Sequence, residues 1–128
     1  MSAFADAVVK TILDRHLAPI PVYTVIPAAP ALEYVYATHI GGGGDIDPRW
    51  RGIVATIRCD FVSRSYRRSF ELSELVREAF LTAEARNEHT PDGYFAHFRI
   101  YVPPNRIQIP RSPEDEWRFT ALYGVVIS

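Results

Sequence analysis

The run Trp117–Ile127, WRFTALYGVVI, constrains the chain more than any other stretch. Trp117, Phe119, Ala121, Tyr123, Val125 and Ile127 share one parity and therefore one face of a strand. Arg118, Thr120, Leu122, Gly124 and Val126 take the other. One face is heavily apolar and the other mixed, which fits a strand that packs one side under helices. The rest of the chain must supply those helices and the neighbouring strands. The pattern specifies a small α+β domain and names no reaction.

Bulk properties narrow the class. A length of 128 residues makes one domain, which buries roughly two-thirds of its unfolded surface. Apolar residues make up 48%, so the chain can support a core. The net charge of -1, from 14 basic and 15 acidic residues, excludes a nucleic-acid binder held by bulk charge. The single cysteine excludes an internal disulfide and a cysteine-based zinc site. No apolar run approaches the roughly 20 residues of a membrane span. The opening MSAFADAVVKTILD carries an acidic residue inside its apolar pattern and does not read as a signal peptide.

In chain order, residues 3–17 predict an amphipathic helix with Phe4, Ala5, Val8, Val9, Ile12 and Leu13 on one face, Ser2 as its cap, and Pro19 and Pro21 as its stop. Pro21–Pro27 predicts an edge strand or arm, and Leu32–Ile40 a clear strand. Gly41–Trp50, with four consecutive glycines, predicts a mobile irregular loop dividing a long hairpin. Arg51–Val62 alternates as a strand, and Ser63–Arg86 follows as the second helix. Tyr94–Val102 predicts a strand ended by Pro103-Pro104, and Arg106–Ile109 a short extended piece. The expected order is α-β-β-β-α-β-β, a mainly antiparallel sheet of four to five strands with both helices on one face. Ile53, Ile57, Phe61, Leu75, Val76, Phe80, Phe98, Ile100, Phe119 and Tyr123 are the expected core.

Local chemistry is sparse. Asp45 and Asp47 have the oxygen ligands a hard cation prefers, but two carboxylates also suit any solvated loop. The glycines lack the Gly-Lys-Ser/Thr ending of a phosphate-binding loop. His16, His39, His89 and His97 lie on separate elements without metal-ligand spacing, and Cys59 sits on the apolar parity of its strand. Arg64, Arg67 and Arg68 cluster at the start of the second helix, where the dipole disfavours them. They form either an ion-paired wet face, with Arg67 against Glu71, or a docking patch for an acidic surface. The second sheet face, with Val54, Thr56, Arg58 and Asp60, then Phe95, His97, Arg99 and Tyr101, then Arg118, Thr120, Leu122 and Val126, is too apolar for bare solvent and too charged for a core. It suits a subunit contact or a wet channel, or else a half-covered sheet with snorkelling arginines.

The layout as a whole resembles the tail terminator, or tail-completion, proteins of long-tailed bacteriophages. The short N-terminal helix leads to VYTVIP and a proline-containing connector, then to LEYVYATHI, a Gly-rich loop and IVATIRCDFVSRSY. That strand runs into the helix FELSELVREAFL, and the chain closes on PEDEWRFTALYGVVIS. The four-glycine loop and the Pro-rich hairpin at 103–113 depart from the family pattern.

The resemblance implies a structural role and no enzyme, cofactor or metal. Such proteins form a six-fold ring on the head-proximal end of the tail tube, in the virion and, during assembly, in the host cytoplasm. The ring stops tube polymerisation and presents a docking surface to head-completion (stopper) proteins, while genomic DNA passes through without specific binding. The implied partners are thus further copies of the chain, the tail tube protein and a stopper. A cyclic ring needs two different complementary surfaces on each protomer. The candidates are the loop with Asp45, Ile46, Asp47, Trp50 and Arg51, the patch of Arg64, Arg67 and Arg68, and the sheet face with Arg58, Phe95, His97, Arg99, Tyr101 and Arg118. Trp50 has the side chain that anchors interfaces. Another head–tail joining protein, a stopper or adaptor, and a small α+β enzyme or ligand-binding domain stand as the alternatives.

Overall fold

A computed structural model describes residues 5–41, 46–47, 52–106 and 116–128. Helix α1 (Ala5–Leu17) leads to β1 (Val22–Tyr23), β2 (Tyr34–Gly41), β3 (Ile46–Asp47) and β4 (Gly52–Ser63). Helix α2 (Tyr66–Arg86) follows, then β5 (His89–Thr90), β6 (Gly93–Arg106) and β7 (Trp117–Ile127).

The helices form where apolar spacing and capping agree. In α1, Ala5, Val8, Val9, Ile12, Leu13 and Leu17 are buried along one stripe, and Lys10 pairs with Asp14 at 2.6 Å on the outside. The second helix begins later than its apolar pattern suggests. Ser63 still belongs to β4, opposite Trp117, and Ser65 caps the helix by accepting the Arg68 N–H at 3.3 Å. Asn87, at φ 47° in the left-handed region, turns the chain out, and the Glu88 N–H closes on the Ala83 carbonyl at 3.1 Å.

The sheet has seven strands in the order β1-β2-β4-β7-β6-β5, with β3 attached to β4. The terminal strand β7 lies between β4 and β6. Its register with β4 is unbroken and antiparallel from Ile53↔Ile127 to Ser63↔Trp117. Pairing is antiparallel throughout except for the parallel edge pair β1–β2. The architecture is α+β, with more strands than the four to five expected.

Three expectations fail in detail. The glycine-rich segment is not wholly irregular, since Ile46 pairs with Ile53 and Asp47 with Gly52. Pro103-Pro104 does not end β6, which runs on to Arg106. Its register against β7 shifts between Val102 and Asn105, so the prolines fall where no ladder donor is needed. Leu75 and Ile100 do not belong to the core, being 39% and 43% exposed. Leu75 flanks the buried stripe of Leu72, Val76, Ala79, Phe80 and Ala83, and Ile100 lies beyond Phe98, the last buried residue of β6.

The core lies between the two helices and one face of the sheet. Phe80 sits at its centre, stacked on Phe95 with centroids 5.4 Å apart and edge-on to Tyr123 at 5.3 Å. Ile57, Phe61, Val76 and Phe119 are buried as expected, and Phe98 is buried too. No helix among the described residues is long and apolar enough to cross a membrane.

Candidate functional site: the open sheet face

The face of the sheet away from the helices is read from the register. Tyr36, Asp60 and Thr120 lie in one row across β2, β4 and β7, and Thr38, Arg58 and Leu122 in the next. Thr56 lies opposite Gly124, and Arg99 of β6 opposite Gly124 on the far side.

Asp60 is the centre of this face. It is only 1% exposed, yet it accepts from three side chains. Arg58 reaches it at 3.1 and 3.3 Å, the Thr120 hydroxyl at 2.7 Å and Arg118 Nη1 at 3.4 Å. Arg118 Nη2 continues to Glu116 at 3.4 Å and to the Tyr34 hydroxyl at 3.5 Å. Burial raises the Tyr34 phenol above its ordinary range, which Arg118 only partly offsets, so the hydroxyl stays neutral. The two guanidiniums are matched by two carboxylates, and the cluster carries no net charge.

Tyr101 crosses the same face. A Cβ placed on Gly124 would stand 2.3 Å from Tyr101 Cζ, so the ring occupies the space that a side chain on β7 would fill. Arg58, Arg99, Tyr101 and Arg118 thus fall where parity puts them. Asp60, which binds Arg58 to Arg118, shows in the sequence only as one charge among alternating residues.

Phe95 does not share this face, whereas His97, opposite Val126, keeps to it. The register of β6 shifts between them, which turns Phe95 inward to full burial against Phe80. His97 Nδ1 nevertheless reaches Glu84 Oε2 of α2 at 2.6 Å. The arginines of α2 also belong to the helix layer. Arg67 pairs with Glu71 at 3.5 Å, while Arg68 meets Glu33 at 2.6 and 3.2 Å and Glu71 at 3.5 Å. The hydrogen bond to Glu33 raises the Arg68 guanidinium further above neutrality. Arg64 is exposed. Asp45, Trp50 and Arg51 lie outside the described residues, as does most of the loop expected to be mobile. Ile46 and Asp47 are placed by their backbone pairing alone.

The reactive side chains are spoken for. Cys59 is fully buried, and burial together with the neighbouring Asp60 charge pushes its thiol far up. His16 meets Glu88 at 2.5 Å, beside Arg15 at 3.0 Å. Among the described residues no group of three or more His, Cys, Asp or Glu side chains is placed to hold a metal. A groove of about 400 Å³ runs between the end of α1 and α2, lined by His16, Leu17, Ile20 and Leu75. Its charged wall is the Glu33–Arg68 pair, already closed on itself. Sequence patterning gives no sign of this groove, because its walls come from three separate segments.

No family model and no curated protein matches the chain. Solved structures do. A chain in the virion of a native gene transfer agent particle matches with a TM-score of 0.67 at 13% identity, over 96% of this chain and 93% of that one. The fold is shared with a virion component. A second solved structure, which carries no functional description, matches with a TM-score of 0.51 at 12% identity, over 98% and 96% of the two chains. At these identities the likeness is one of fold, and it extends over nearly the full length of all three chains.

Proposed function

We propose that the protein is a structural, non-enzymatic component of a phage-like virion, and specifically a tail terminator. In this role six copies form a ring that caps the tail tube, stops its polymerisation and offers a docking surface to head-completion proteins. The observation that carries the reading is the full-length fold match to a chain of a gene transfer agent virion. The order of elements, which resembles the terminator family, narrows it to the tail.

The open sheet face supports the same role. It carries exposed Tyr101 beside a charge-neutral arginine cluster, a surface suited to contact with protein or water. Arg58 and Arg118, already matched by Asp60 and Glu116, are poor grips for phosphate, which suits a channel for moving DNA. The domain stands as a single unit over residues 1–128.

Native mass spectrometry and negative-stain microscopy of the purified protein test this proposal. The expected particle is a closed ring with six times the 14.5 kDa mass of one chain. Added to a growing tail tube, the protein shortens the tubes and sits at one end. A protein that forms no ring and leaves tube length unchanged overturns the terminator role. A ring that binds a completed head instead of a tube end points to the stopper or adaptor role.

A further inference from the structure

Strand β6 is long, but the strand outside it is very short. Strand β5 pairs only with Gly93 and Tyr94. The next two outward positions are closed by Glu88, just past α2, and by Glu84 in its last turn. The Phe95 N–H donates to the Glu88 carbonyl at 2.9 Å, and the Phe98 N–H to the Glu84 carboxylate at 2.9 Å. Farther on, Pro103 and Pro104 have no N–H to offer. Between these stops lies Arg99–Val102. It has β7 on its inner side and, among the described residues, no strand on its outer side. Ile100, Tyr101 and Val102 are all exposed there. An apolar strand edge with unpaired backbone is a template for another strand.

The opposite end of the same sheet has the counterpart. Strand β1 pairs with β2 on one side only. Beyond it the chain runs to Pro27 with Val25 80% exposed and Ile26 37% exposed. The strand edge itself is Val22–Tyr23, after Pro21; Thr24 and Val25 follow in a bend, and the stretch to Ile26 carries no charge. Both open edges are therefore short, limited by proline and rimmed with aliphatic side chains. They sit at the two ends of one sheet, as a head-to-tail contact between identical copies requires.

We infer that each edge is occupied by a second copy of this chain. The Arg99–Val102 edge of one protomer adds to the β1 edge at Val22–Tyr23 of the next, with the exposed Val25 beside it, so that the sheet continues from copy to copy. The closure of such a chain into a ring rests on the function proposed above. The edge pairing itself does not.

The experiment compares wild type with Val25→Lys and Ile100→Lys, each alone and mixed in equal amounts, by native mass spectrometry with melting curves as a folding control. Each variant alone is expected to be a monomer with a melting temperature near wild type. The mixture is expected to give a dimer and nothing larger, because one intact edge remains on each variant and the two are complementary. Val102→Lys serves in the same way should Ile100→Lys unfold.

Full-size assemblies from either single variant overturn the inference. So does a dimer formed by Val25→Lys alone, which would set β6 against itself. Wild-type fibres that both variants abolish uphold the edge pairing and remove the ring. Wild-type rings that persist in every variant uphold the ring and remove the edge pairing. A wild-type chain that stays monomeric at high concentration overturns both.

Discussion

Asp60 and Arg118 face each other across β4 and β7 as an ion pair at 3.4 Å, with the carboxylate 1% exposed and the guanidinium 19%. Two arginines and one threonine converge on this carboxylate, so its removal leaves several donors without an acceptor. Asp60→Ala is expected to cost about 3 kcal/mol, the low end for a broken buried pair. The cost stays at the low end because Arg58 keeps access to water and Arg118 keeps Glu116. Asp60→Asn is expected to cost less, since it retains an acceptor for Thr120. Urea unfolding of the two variants measures the difference, and equal losses would show that the acceptor is unimportant.

Phe80 tests the helix–sheet core. It touches Phe95, Phe98 and Tyr123, all buried. Phe80→Ala is expected to cost about 3–5 kcal/mol, because the flanking rings are fixed on β6 (Phe95, Phe98) and β7 (Tyr123) and cannot collapse into the space. A melting temperature equal to wild type would remove Phe80 from the core.

How much of this was legible in the sequence depends on range. The parity of β4 and β7 and the apolar stripes of both helices are local periodicities, and they place Ile57, Phe61, Val76, Phe80, Phe119 and Tyr123 correctly. Phe95 could not be placed in this way. Its position depends on a register shift that no run of residue types announces, and one slipped residue exchanges the faces of a strand. Strands β3 and β5, each of two residues, are too short to show a period. Asp60 reads as an ordinary polar position until β7 brings Arg118 and Thr120 beside it, 58 and 60 residues along the chain.

Glu88 predicts an acid limb in the stability profile. Burial acts to raise its carboxyl, but the hydrogen bonds from His16 and Arg15 outweigh burial and hold it below the ordinary value of 4.5. A carboxyl depressed in the folded state stabilises fully above its unfolded value. That contribution is lost as pH falls through the lower folded value. Glu88→Gln is therefore expected to lower stability at neutral pH and to flatten the fall in stability below about pH 4.5. Denaturation midpoints across the acid range decide this, and parallel curves for variant and wild type would contradict it.

Cys59 is expected to resist thiol reagents in the native protein. It is fully buried, and both burial and the adjacent Asp60 disfavour the thiolate. Labelling should begin only when denaturant opens the fold. Rapid native labelling would mean that this part of β4 is accessible.

Arg99 is exposed on the open face, opposite Gly124 and beyond the residues the helices bury. Arg99→Glu is expected to weaken assembly several-fold while leaving the monomer within about 0.5 kcal/mol of wild type, as surface changes do. Sedimentation together with a thermal melt separates the two effects. Unchanged assembly would take Arg99 out of the contact.

Burial divides β6 between two histories. Up to Phe98, each change of side chain is answered by α2 and the core, so drift there is checked by folding itself. From Arg99 to Arg106 none of the strand is buried, and within the chain its side chains meet surface neighbours such as Gly124 under Tyr101 and Trp117 under Arg106. Related proteins that keep this fold should therefore vary most in that second half, apart from Tyr101 where Gly124 is kept. The residues around Phe95 should change only together with Phe80. A lineage can in this way change the outer half of the strand without refolding, because burial ends at Phe98 while the pairing with β7 runs on past it.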